Sequence, residues 1–178
     1  VSASRQPILA YSRPYFVDIE QNPVSSCSIF IDKYSIMASY LQGLYKPQHP
    51  EKFKGDIKGI VYRSSWELKY LRMIDTDPNV VACSSEEVII PYRDYNGKLR
   101  RYFMDFYVKY ADGREILVEI KPYIQTIAPV PGKKKRKTLM REALTYGINQ
   151  LKWEAARKYA AKKGWEFVIL TENQLGIK

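Results

Sequence analysis

The chain has 178 residues, enough for one domain with a substantial core, and its 29 Lys and Arg against 19 Asp and Glu leave a net charge of +10. With His49 as its one histidine and Cys27 and Cys83 as its two cysteines, it excludes a zinc site of Cys and His and offers no disulfide framework, so any metal must be held by oxygen. No stretch is long and apolar enough to read as a membrane span, no secretory leader pattern opens the chain and no nucleotide-binding loop occurs, which predicts a reduced, intracellular protein with no membrane partner and no nucleotide cofactor.

Residues 1–36 begin with Val1, carry three prolines and scattered serines, and show no sustained period. They read as an N-terminal extension, of the kind translated upstream sequence would give, outside the native core, with a domain over 37–178. Lys46 to Lys58, with Pro47, Pro50 and Gly55, reads as a polar connector, so organised structure is expected to start near Ile60. Ser64 or Ser65 then caps a helix that runs to about Asp75 and buries Trp66, Tyr70, Leu71 and Ile74, with Asp77 and Pro78 as its stop. Cys83 reads as a small buried side chain beside Val80 and Val81. A strand follows over Glu87 to Tyr92, and Asn96-Gly97 is a strong hairpin turn into the next strand.

The runs Leu99 to Tyr110 and Glu115 to Pro122 flank Ala111, Asp112 and Gly113, a pattern of two strands and a turn. A three-residue loop with Gly113 left-handed sets Asp105 opposite Glu119, with Lys121 two residues on along the same face. A two-residue loop would place the carboxylates on opposite faces. The apolar pattern favours the first register, because Met104, Phe106, Val108, Ile116, Val118 and Ile120 then form one core face. Both carboxylates sit within apolar runs, where a charge needs a cation or a hydrogen-bond donor. The bland reading is a solvated cross-strand ion pair; the sharper one is a metal-dependent nuclease site.

Phosphodiester hydrolysis needs an activated water, neutralisation of charge on phosphorus and help for the leaving oxygen, and divalent cations supply all three. Two carboxylates and a backbone carbonyl suffice for magnesium, which keeps several waters. Asp105, Glu119 and the carbonyl of Ile120 make that set, and Lys121 would orient the water or stabilise developing charge. Glu67 is a third acid. Ser64 and Glu67 have capping-box spacing, so at this point Glu67 is as much a cap as a ligand. Glu86 and Glu87 read as surface acids.

Tyr123 to Gly132 is a loop, after which a helix closes at Gly164 and Trp165 to Thr171 forms a last strand. From Pro131 to Lys163 eleven basic residues face two acids, which accounts for +9 of the +10. Such localised charge favours a polyanion, with nucleic acid well ahead of an anionic membrane, over the bland reading of a charged, solvated helix. Lys133, Lys134, Lys135, Arg136 and Lys137 are expected to contact phosphates without reading bases. Arg141, Thr145, Asn149 and Lys152 share a helical face if the helix is continuous, although Gly147 weakens it and Asn149 could cap a second helix. Tyr102, Phe103, Phe106 and Tyr107 read as core and sheet surface. The sum is helix, three antiparallel strands, helix, strand, an α/β sandwich.

The Glu67 helix, the Asp105 strand and the Glu119-Ile120-Lys121 strand together resemble the PD-(D/E)XK nuclease superfamily, with Met104 where the motif name has proline. Val61 to Asn79, Arg100 to Phe106, Val118 to Pro122 and Asn149 to Ala156 look like the TnsA-type transposon endonucleases, and closer still are similar to the head completion proteins of T-even-like tailed bacteriophages. The similarity spans roughly Ala38 to Gly176. It implies a restriction-endonuclease-like α/β core, a mixed sheet of about four strands in α-β-β-β-α-β order, and a magnesium-dependent DNA endonuclease in which manganese can substitute. By the same resemblance Glu67, Asp105 and Glu119 bind metal and Lys121 is catalytic. It further implies work on DNA at the head vertex, after packaging and before tail attachment, with portal, neck or other head proteins as partners, in the virion and in the host cytoplasm during assembly. The competing readings are a transposon or junction-cutting nuclease of the same fold, and a DNA-binding virion component without activity.

Overall fold

The computed structural model describes residues 41–132 and 135–177. The expected extension over 1–36, Cys27, Lys133 and Lys134 lie outside these residues. Strands β1 (Gly43–Leu44) and β2 (Val61–Tyr62) pair antiparallel, with 3-10 turns at Pro50–Lys52 and Ile57–Gly59 between them. This segment is not the loose connector its prolines suggest, since Tyr45 and Phe53 are buried in the core. Helix α1 (Ser65–Thr76) has Ser64 as N-cap and buries Tyr70, Leu71 and Ile74, as its spacing predicts. Asp77 is extended, the conformation a following proline imposes, and the helix stops there.

Strand β3 (Val80–Ser85) has no counterpart in the sequence reading. Its pairing with the neighbouring strand shifts register between Val80 and Ala82, and that irregularity erases the alternation by which a strand is recognised. Strands β4 (Ile89–Arg93) and β5 (Leu99–Phe103) form a separate antiparallel ribbon across the Asn96-Gly97 turn, where Gly97 takes φ 74°. The run Leu99 to Tyr110 is therefore two strands. The chain leaves the ribbon at Met104 and Asp105 and enters the main sheet as β6 (Phe106–Tyr110).

Strand β7 (Glu115–Ile120) pairs with β6 in the expected register: Phe106 opposes Val118 and Val108 opposes Ile116. Strand β8 (Glu166–Leu170) adds in parallel to β7, so the main sheet runs β3-β6-β7-β8. Helix α2 (Arg136–Lys163) precedes β8 and ends at Gly164, left-handed at φ 74°. Counting main-sheet strands alone, the order is α-β-β-β-α-β, with the ribbon inserted between the first two.

Each face of the sheet has its own core. Phe106, Val108, Val118 and Ile120 pack with Tyr70, Leu71 and Ile74 of α1, whereas Leu117 packs with Trp153, Ala156 and Ala160 of α2 and with Ile90 and Tyr102 of the ribbon. Met104 belongs to the α2 cluster and not to the Phe106 face. The break before β6 turns it to the other side, so the single continuous apolar face expected from the sequence ends at Phe106.

Helix α2 is continuous through Gly147, and Asn149 starts no second helix. A Cβ at Gly147 would coincide with the Tyr95 hydroxyl from the ribbon turn. The glycine thus marks a close approach of ribbon and helix, which tertiary packing tolerates despite glycine's poor helix propensity.

Candidate active site

The β6–β7 register brings Asp105 and Glu119 together where β6 begins and β7 ends. Asp105 lies in the break and not in a strand, and there its side chain takes the place of a ladder partner: the Ile120 N–H donates to Asp105 Oδ2 at 2.7 Å. In an extended strand the N–H and C=O of one residue leave by the same edge, so the Ile120 carbonyl faces the same gap. Asp105 Oδ1 takes no hydrogen bond among the described residues.

Glu119 is buried, at 2% exposure, on the α2 side of the sheet. Its Oε1 lies 2.9 Å from Lys121 Nζ. Its Oε2 accepts a 2.6 Å hydrogen bond from the Tyr102 hydroxyl. Burial, and then the charge on Glu119, push the Tyr102 phenol far up, so it stays a proton donor. The sequence reading left Tyr102 in the core; it is buried, yet its polar end belongs to the site. Only the break at Met104 and Asp105, invisible to strand periodicity, aims the ribbon's Tyr102 at Glu119.

Asp105 titrates well above the usual carboxylate range, first because of burial and then because of Glu119, with Lys121 and the Ile120 N–H opposing and Glu67 adding to the rise. Burial works against the charge on Lys121, but Glu119 and Asp105 outweigh it and raise the ammonium above its ordinary value. One ammonium thus stands among carboxylates that together exceed its charge. Hard oxygen donors with an excess of negative charge fit a magnesium-like cation.

Glu67 behaves first as a cap. Its N–H donates to Ser64 Oγ at 3.1 Å, Ser64 Oγ–H donates to its Oε1 at 2.9 Å, and the Arg63 N–H donates to its Oε2 at 2.7 Å. It is also near enough to act on the charges of Asp105 and Lys121. Among the described residues no three Asp, Glu, His or Cys side chains form one compact metal-holding group. The protein's closest ligand share is therefore Asp105, Glu119 and the Ile120 carbonyl, with Glu67 at the rim.

Glu86, read from sequence as a surface acid, stands at the same rim. It takes a left-handed φ of 54°, its N–H donates to the Asp105 carbonyl at 3.2 Å, and its carboxylate holds the Arg63 guanidinium through bonds of 2.7 and 2.8 Å. No spacing rule connects Arg63 to Glu86, and neither residue announced itself.

Of the basic residues, Lys135, Arg136, Lys137 and Arg141 are exposed. Among the described residues, helix α2 has no side-chain N-cap and no acid in its first turn, where Arg136 and Lys137 stand. Arg141 and Thr145 line a cleft against Ile124 to Val130. With α2 continuous, Asn149 keeps the helical face its spacing with Arg141, Thr145 and Lys152 gives it, but at that point the face is buried, and among the described residues its Nδ2 has no hydrogen-bond partner. Lys152 Nζ sits 5.3 Å from the centroid of the Tyr102 ring.

The profile of a family described as TnsA-like endonuclease N terminal matches residues 77–172. That range holds Asp105, Glu119, Ile120, Lys121, Asn149 and Lys152 and begins after α1. The chain is also 41% identical over 138 residues to the head completion nuclease of Enterobacteria phage T4, an alignment covering 75% of this chain and 92% of that protein.

Proposed function

The chain belongs to the TnsA-like endonuclease family, with its restriction-endonuclease-like fold, and we propose that this nuclease is a divalent-metal-dependent DNA endonuclease acting in phage head completion. The observation that carries the chemistry is the juxtaposition of Asp105, in the break just before β6, with Glu119 of β7, whose charge acts on it, and with Lys121 against Glu119 at 2.9 Å. Bound magnesium, or manganese in its place, would supply the positive charge that activates a water and neutralises charge building on phosphorus.

Asp105 and Glu119 would hold the cation with the Ile120 carbonyl, and Glu67 would add negative charge from the rim. Lys121 keeps its proton, offers an ammonium to the attacking water or to a phosphoryl oxygen, and balances Glu119 meanwhile. Lys133 to Lys137, Arg141 and Lys152 would meet DNA phosphates, helped by the uncapped start of α2. Asn149, being buried, would serve from inside this face rather than on it. Alignment over 92% of a head completion nuclease favours work on DNA in the assembling virion, beside head proteins, over transposon end cutting.

Incubation of linear and supercoiled double-stranded DNA with the purified protein and magnesium or manganese, beside Asp105→Ala, tests the reading. Metal-dependent cutting by the wild-type chain, lost on the order of a thousandfold in the variant with DNA binding retained, is expected. Loss of folding and binding together in Asp105→Ala would overturn the assignment.

A further inference from the structure

We infer that Tyr102 is a positioning residue of the active site, which fixes the oxygen that Glu119 presents to the metal. The inference rests on the metal-dependent reading above. Glu119 is enclosed, so its two oxygens have no bulk water to choose from, and their partners set the carboxylate's orientation. Oε2 is taken by the Tyr102 hydroxyl at 2.6 Å, on the ribbon side. Oε1 is left on the side of Lys121, at 2.9 Å, and Lys121 in turn feels both Glu119 and Asp105. The tyrosine on one oxygen and the ammonium on the other thus pin the carboxylate plane, and the tyrosine fixes which oxygen stands on the side of Lys121, whose charge feels Asp105 as well.

The hydroxyl is itself held. Tyr102 is buried in the cluster of Ile90, Leu117 and Trp153, and Lys152 Nζ stands over its ring at 5.3 Å. Ribbon, helix α2 and β7 thereby meet on one carboxylate. A buried tyrosine needs some acceptor, and a backbone carbonyl would satisfy it. Here the acceptor is the enclosed Glu119 carboxylate of the site, and the donor arrives from an inserted ribbon outside the main sheet. Partners of this kind, one bond removed from the metal, fix ligand orientation, and their loss costs on the order of tenfold or more in metal affinity.

The test is Mn2+ binding to the full-length, metal-free protein without DNA, read by the spin-resonance signal of free Mn2+, together with the Mn2+ concentration giving half-maximal cleavage. Tyr102→Phe keeps the ring and removes only the hydroxyl; it should weaken Mn2+ binding on the order of tenfold and raise the half-maximal concentration in parallel. Ile90→Val, a packing change in the same cluster, should lower thermal stability and leave both metal readings unmoved. Tyr102→Met, a second hydroxyl-free side chain of large apolar bulk, should weaken Mn2+ binding to a similar degree, and it carries the test alone if Tyr102→Phe does not fold. Mn2+ affinity within twofold of wild type in the folded Tyr102→Phe variant, or in Tyr102→Met where that variant stands alone, overturns the inference and leaves the nuclease reading intact. A wild-type chain that binds no Mn2+ overturns both.

Discussion

Asp105 shows most directly how a functional side chain works against the fold that holds it. Its carboxyl is more readily protonated in the folded protein than in the unfolded chain, because burial and Glu119 outweigh Lys121 and the Ile120 N–H. The folded state therefore binds the extra proton, and stability falls as pH rises from the ordinary carboxylate range toward the raised folded value. Asp105→Asn removes that penalty. In EDTA at pH 8 the variant is expected to melt roughly 2–4 °C above wild type, the advantage vanishing below about pH 4, and added Mn2+ should stabilise wild type alone. Thermal melts at several pH values check this, and a variant less stable than wild type at pH 8 would contradict it. Glu67 sits in a milder conflict, since its oxygens serve the cap of α1 while its charge reaches Asp105. Glu67→Gln keeps acceptor and size, so stability should change by less than about 0.5 kcal/mol while cleavage falls on the order of tenfold. Unchanged cleavage would reduce Glu67 to a cap.

At the level of elements, the segment before α1 is fastened through the end of that helix. Asp75 accepts from the Tyr45 hydroxyl at 2.6 Å, from the Gln48 N–H at 2.7 Å and from the His49 N–H at 2.9 Å, while Lys52 Nζ donates to the carbonyls of Asp75 and Asp77. Burial would raise the Asp75 carboxyl, but the donors from Tyr45, Gln48 and His49 outweigh it and depress it. The stabilisation is then present above the unfolded carboxylate range and lost as pH falls through the depressed folded value. Asp75→Ala should cost about 3 kcal/mol at pH 7 by urea unfolding, with the gap to wild type narrowing below pH 4. This tie was illegible in the sequence, because a helical acid and a proline-rich segment about 27 residues earlier share no period. The β6–β7 hairpin was legible, since Gly113 and strict alternation set its register. The β3 bulge and the break at Met104 were not, because each cancels alternation where it occurs. Gly147 looked like a helix weakness and proved a contact point. Gly147→Ala should stabilise by about 1 kcal/mol in a Tyr95→Ala background and by clearly less with Tyr95 present, a double-mutant cycle whose coupling would be absent if ribbon and helix did not touch.

Over the whole molecule the charge is lopsided, with +9 of the +10 between Pro131 and Lys163. That imbalance was plain in the sequence, but its direction relative to the site was not, because it depends on α2 crossing the sheet as one helix of 28 residues. The crossing joins the carboxylates to the basic surface through Lys152 and Tyr102. The exposed cations cluster at the uncapped start of α2, where they oppose the helix dipole and have no acid in the first turn to relieve them. An arrangement that is unfavourable in the free protein becomes favourable when phosphates arrive, so binding should release counterions in proportion to the contacts made. Each phosphate contact contributes about 0.9 to the slope of log affinity against log salt. Replacement of Arg136, Lys137 and Arg141 by Gln should therefore flatten the slope by up to about 2.7 when duplex DNA is titrated in EDTA, where no cleavage occurs. Arg114→Gln, at the opposite end of β7 from Lys121 and paired with Asp112, should leave the slope unchanged. Equal flattening by both replacements would mean that the net charge draws DNA from every side and that the start of α2 is no footprint; flattening confined to the helix would orient the duplex along α2, with the break at Asp105 beneath it.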